Sequence, residues 1–269
     1  MVRTIPCKIY NDGSHYIATR IIKGHGKSYK IDKPESKYFE EAYKQSFEEK
    51  IEPKNKPEYI KKVLQEQHPE IEEIDKLVDE KLETKTQNYY QRIKRFRRKA
   101  NLNEWNYFVT LTYDSKKMDE ETFRKKIRKC LSNLHSRHQW KYMGVFEKGN
   151  DTDRLHFHAI MYIPSGQMIG SIVEKKDYST EHKKMQISHI NTFFEKYFGR
   201  NDFTQVSKAQ LKLGNGLNYI IKYLSKNNER IIYSRGLRSE IEKDIDVRDI
   251  VTEMEDFVTK YILFDDVID

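Results

Sequence analysis

Between Asn106 and Ile163 the chain carries a strand, a helix and a strand pair in close succession, and this order leaves few architectures open. NYFVTLTYDS (Asn106–Ser115) alternates and is β-branched or aromatic, so it reads as a strand. EETFRKKIRKCLSNLHSRH follows as an amphipathic helix, with Phe123, Ile127, Leu131 and Leu134 on one side. WKYMGVFEKG and RLHFHAIMYI are two further strands, and the short turn GNDTD between them makes an antiparallel pair. The class implied is α+β, with helices packed on an antiparallel sheet.

The flanking text fits around this centre. Residues 1–32 read as short strands, with HYIATRII and SYKI on either side of KGHGK, a hairpin turn. From Pro34 to about Lys85 the chain becomes helical and polar. Pro57 and Pro69 sit where first helical positions belong, and Ile71, Ile74, Leu77 and Val78 keep helical spacing, which gives three short helices. A helix is expected near ISHINTFFEKYFG, a strand near FTQVSKAQL, a helix over Gly216–Lys226 and an acidic helical tail beyond Arg238.

Charge narrows the partner. The net charge is +8, but Ser239 to Asp269 holds eleven acidic and three basic residues, a net of −8, which leaves +16 on the rest. A basic body of this kind points to a polyanion, nucleic acid first. Six of the eight residues Arg92–Lys99 are basic: Arg92, Lys94, Arg95, Arg97, Arg98 and Lys99. With Tyr89, Tyr90 and Phe96 interleaved, they read as a helix that tracks phosphates. Cys7 and Cys130 are too few for a disulfide framework or a cysteine zinc site. No signal-peptide core or membrane-length apolar run is present, so a cytoplasmic protein without membrane partners is expected.

Two constellations carry chemistry. On a strand, His156 and His158 point to one face while Phe157 points to the core. Histidines on strands are common, so His-x-His alone is a weak signal. Glu147 ends the preceding strand and would lie near both imidazoles in an antiparallel pair. Taken alone it reads equally well as a solvated strand end. Two nitrogens and a carboxylate, with open positions for phosphate oxygens, suit Mg²⁺ or Mn²⁺ acting on a phosphodiester. GLNYIIKYLSK (Gly216–Lys226) is the second constellation. With Tyr219 at zero on a helix turning about 100° per residue, Tyr223 falls near 40°, Lys222 near 300° and Lys226 near 340°. Leu217, Ile220, Ile221 and Leu224 gather on the opposite side, so the tyrosines share the lysine face instead of filling the core. A phenol with a pKa of about 10 needs help as a nucleophile, and an adjacent ammonium and a polarised phosphate provide it.

His156–Phe157–His158 preceded by Arg154, with FVTLTY upstream, resembles the His-hydrophobic-His endonuclease superfamily. YIIKYLSK, and ERIIYSRGLR after it, are similar to the two-tyrosine rolling-circle replication initiators of microviruses and related phages. The resemblance covers roughly residues 88–238, with residues 1–87 a strand hairpin and helical accessory region and 239–269 an acidic tail. It implies a central antiparallel sheet of about five strands with flanking helices. It also implies Glu147, His156 and His158 as ligands of Mg²⁺ or Mn²⁺, and Tyr219 or Tyr223 as nucleophile, assisted by Lys222 and Lys226. The tyrosine would nick single-stranded DNA at a replication origin, leaving a 5′-phosphotyrosine and a free 3′-hydroxyl. Arg154 and the Arg92–Lys99 cluster would bind the DNA.

Gly24–Ser28 mimics the end of a phosphate-binding loop, but Ile21 stands where a glycine is required. Unwinding would fall to a host helicase and extension to a host polymerase, in a bacterial cytoplasm. The rival readings are a transposase or mobilisation relaxase of the same superfamily, and a non-catalytic DNA-binding module. Two cysteines cannot supply the zinc elements of such transposases, and relaxases tend to place the tyrosine before the histidine motif. The acidic tail is expected to cover the basic groove when DNA is absent.

Overall fold

The computed structural model describes residues 4–13, 15–21, 34–149, 154–179, 184–207, 210, 217–218, 220–222, 229–254 and 259–264, with Asp177 and Ser179 described by backbone alone. The fold is α+β, built on antiparallel sheets. Two compact units emerge, one of Ile22–Arg92 and one of Met1–Ile21 with Ile93–Asp269.

The larger unit begins with β1 (Thr4–Asn11) and β2 (Tyr16–Arg20), paired antiparallel around a turn in which Gly13 adopts φ 127°. The expected KGHGK turn and SYKI strand lie outside the described residues. The smaller unit holds α1 (Pro34–Glu48), α2 (Lys56–Gln67) and the start of α3 (Ile74–Asn101). Phe39, Ala42, Ile60, Val63, Leu64, Ile74 and Val78 form its core. Pro57 sits in the first turn of α2, as its missing N–H allows, whereas Pro69 lies in the turn before α3. The third helix is not short. No proline or glycine interrupts residues 74–101, so α3 runs on through the basic cluster for 28 residues.

The sheet read from the central sequence forms with the order β8-β3-β5-β4-β9. It comprises β3 (Tyr107–Thr112), β4 (Lys141–Lys148), β5 (Leu155–Tyr162), β8 (Asn201–Gln205) and the short β9 (Ile232–Tyr233). Between β3 and β4 runs α4 (Glu120–His138), capped by Asp119, whose carboxylate accepts from the Thr122 N–H. Phe123, Ile127, Leu131 and Leu134 pack from α4 onto Val109, Leu111, Phe146 and Phe157 of the sheet. Before β8, a two-stranded ribbon of β6 (Ile172–Ser179) and β7 (Lys184–Asn191) leads into α5 (Thr192–Phe198). ISHIN therefore ends a strand, and only TFFEKYF is helical.

The acidic tail is the main correction. It is not helical: β10 (Ile241–Asp246), β11 (Ile250–Met254) and β12 (Lys260–Leu263) join the N-terminal hairpin in the order β10-β1-β2-β12-β11. Ile245, Tyr261 and Leu263 share a core with Cys7, Ile9 and Ala18. Among the described residues, no helix is long and apolar enough to cross a membrane.

Candidate active site

The register of the second sheet decides what the histidines meet. On β5, side chains alternate, so Phe157 enters the core under α4 while His156 and His158 face the other way. Thr112 lies opposite His156 and Thr110 opposite His158 on β3, and Glu147 lies opposite His156 on β4. Each imidazole Nδ1 is 3.1 Å from a threonine hydroxyl, His158 from Thr110 and His156 from Thr112. Both rings are thereby fixed by their Nδ1 atoms, and they lie 5.8 Å apart at 21°. Glu147 reaches diagonally: its Oε2 is 3.0 Å from His158 Nε2, which donates to it. With Nε2 carrying the proton, the Thr110 hydroxyl donates to Nδ1. Should Nε2 bind an electrophile instead, the same hydroxyl accepts from Nδ1–H, so threonine supports either tautomer.

Burial sharpens the chemistry. Glu147 is 7% exposed and His158 4%, so each depends on the other as a polar partner. Burial, then the neighbouring His158, push the His156 imidazole down to about 4; Glu147 opposes this, while Arg154 and Arg200 add to it. At neutral pH His156 therefore keeps a nitrogen lone pair.

Beside Thr112 opens a cleft of about 460 Å³, lined by Asp114, Lys116, Glu120, Arg154 and Arg200 among others. Arg154 is the lining residue that the sequence marks as a DNA contact. Arg200 and Lys116 escape that reading, as do Thr110 and Thr112. The threonines have a readable signal, an i, i+2 pair on the strand beside a His-x-His strand. Arg200 has none, because it is brought there by tertiary contacts. Its carbonyl accepts from the Thr112 N–H at 2.8 Å, and Gly199 (φ 103°) lies so close to Asp114 that a Cβ would sit 2.9 Å from that side chain's Cβ.

Residues 106–228 match the family model of the replication-associated protein ORF2. The matched segment opens at the start of β3 and contains Glu147, His156, His158, Arg154 and Arg200, and it supports a role in replication. No curated protein and no solved structure matches the chain.

The other expected site residues divide. Leu217 and Ile220 are buried and Lys222 is exposed, in keeping with an aliphatic side turned inward and a lysine side outward. Tyr219, Tyr223 and Lys226 lie outside the described residues. In the basic cluster, Lys94, Arg95 and Arg97 are exposed and Arg92 is half-buried. Arg98 instead pairs with Asp12 at 2.7 Å over the Tyr10 ring, and Lys99 donates to the Leu237 carbonyl. Phe96 is fully buried and unable to stack on a base, whereas Tyr90 is exposed.

Among the described residues, no three His, Cys, Asp or Glu side chains stand in a geometry able to hold a metal ion as placed. The donor chemistry nonetheless fits a divalent ion. Glu147 offers a buried carboxylate, and both imidazoles are held by hydroxyls at Nδ1, which leaves Nε2 as the donor nitrogen.

Proposed function

We propose that this chain initiates rolling-circle DNA replication by nicking and rejoining single-stranded DNA through a 5′-phosphotyrosine. The supporting observation is one placement: Glu147, His156 and His158 share a sheet face beside the Arg154–Arg200 cleft, within the matched segment. A site built only to bind DNA has no need of a buried carboxylate–imidazole pair, which is expensive to desolvate.

In this reading the phenolic oxygen of Tyr219 or Tyr223 attacks a backbone phosphorus. The P–O3′ bond breaks, its electron pair stays on O3′, and that oxygen takes up a proton to become the 3′-hydroxyl a polymerase extends. Rejoining runs in reverse, with a 3′-hydroxyl attacking the phosphotyrosine and releasing the phenol. Lys222 and Lys226 favour the phenolate, and Arg154, Arg200 and Lys116 hold the non-bridging oxygens. Glu147, His156 and His158 would hold Mg²⁺ or Mn²⁺, which supplies positive charge to the scissile phosphate. Thr110 and Thr112 keep both rings oriented. The partners are single-stranded origin DNA and a host helicase and polymerase, in a bacterial cytoplasm.

Cleavage of labelled single-stranded DNA from the chain's own replicon tests this, with Mn²⁺, with Mg²⁺ and with chelator. Cleavage should require metal and be lost in Glu147→Ala, His156→Ala and His158→Ala while DNA binding persists. Equal cleavage in chelator would overturn the metal assignment.

A further inference from the structure

The helical layer holds a second concavity that the nicking chemistry does not use. A groove of about 450 Å³ runs between α4 and α5, floored by Leu134, Phe193 and Phe198. Its rim carries Lys126, Lys129 and Arg137. On a helix turning about 100° per residue, these three fall within roughly 80° of one another, beside the apolar stripe of Phe123, Ile127, Leu131 and Leu134. No carboxylate lines the groove, and among the described residues none of the three cations has an acidic partner. Elsewhere on α4, Arg124 pairs with Glu229 and Lys125 with Glu121. Tyr197, on the open side, is 51% exposed.

We infer that this groove docks an acidic peptide segment of a partner protein, anchored by one large apolar side chain. The apolar floor has room for an aromatic or leucyl group, and three unmatched cations at its edge complement carboxylates beside that anchor. Position favours a protein over nucleic acid. The groove lies on the α4–α5 side of the sheet, whereas His156, His158 and Glu147 face the other side. A strand engaged at the histidines leaves the groove open. The docking therefore does not depend on the nicking reading and supplies a point at which another replication component could be recruited.

The test uses the full-length protein and fluorescence anisotropy. The probe is a dye-labelled peptide of four aspartates followed by leucine and phenylalanine. Controls replace aspartate by asparagine or the two apolar residues by alanine, and an unlabelled dT15 serves as competitor. The probe should bind in the micromolar range, and either control should weaken it at least tenfold. Lys129→Glu with Arg137→Glu, both changes at a solvent-facing rim, should weaken it as much while dT15 binding stays unchanged. Absence of probe binding overturns the proposal. So does competition by dT15 together with loss of dT15 binding in the charge-reversed protein, which would make the groove a nucleic-acid track.

Discussion

The threonine hydroxyls at the two imidazoles are small contacts with a large expected effect. Thr110→Val preserves shape and β-branching but leaves His158 Nδ1 without its 3.1 Å partner. Loss of such an orienting contact typically costs about 10–100-fold in metal affinity or activity. Nicking rates should fall in that range with the melting temperature nearly unchanged; full activity would show that Thr110 does not orient His158. His156 makes a prediction about pH. Its proton binds near 6.5 in an unfolded chain but only at about 4 in the fold, so the unfolded state holds more protons between those values. Acidification from 6.5 to 4 should therefore destabilise the fold through this residue, with no contribution from it above or below the window. In chelator, thermal melts across that range should show a smaller fall for His156→Gln than for the wild type. Equal falls would contradict the low value. At this scale Glu147, His156 and His158 are legible in the sequence, because strand alternation and a short turn fix which faces meet. The diagonal reach of Glu147 to His158 and the arrival of Arg200 are not, since they depend on side-chain rotamers and on a loop between α5 and β8.

Among the elements, β4 and β5 support the site, and Gly144 permits their close pairing. A Cβ there would collide with the Phe157 ring and lie 2.8 Å from both Ala159 Cβ and the His158 carbonyl oxygen. Gly144→Ala should cost about 1–3 kcal/mol in denaturant melts and disturb His158 through its own backbone. A neutral effect would mean that the strand pair has more give than its packing implies. Elements with strong local periodicity, such as β3 and α4, are readable from sequence. The β6–β7 ribbon is not, because it lacks the usual pattern of one buried face: Val173, Met185 and Ile187 are all exposed. The tail strands β10 and β11 look helical in sequence for a related reason. Both are sheet edges, where charged side chains guard unpaired backbone, and acidic residues there mimic a solvated helix.

For the whole molecule, the pairing of chain ends changes what the acidic tail means. Ile5 to Ile9 pair with Ile241 to Ile245, a contact that no local pattern reports. Removing residues 240–269 takes away three of five strands and uncovers Cys7 and Ile9. The truncated chain should melt well below the intact one or fail to accumulate in soluble form, and an unchanged cooperative melt would contradict this. Such a truncation is thus no clean test of a tail that covers the DNA groove. The central claim, a tyrosine that carries the nicked strand, is tested most directly by the covalent adduct. End-labelled single-stranded replicon DNA would be mixed with protein and Mn²⁺, then resolved on a denaturing protein gel. Wild type would be compared with Tyr219→Phe, Tyr223→Phe and the double variant. A metal-dependent labelled protein band that the double variant lacks is the expected result. A band that survives in the double variant, or no band from wild-type protein that still binds the DNA, would contradict it.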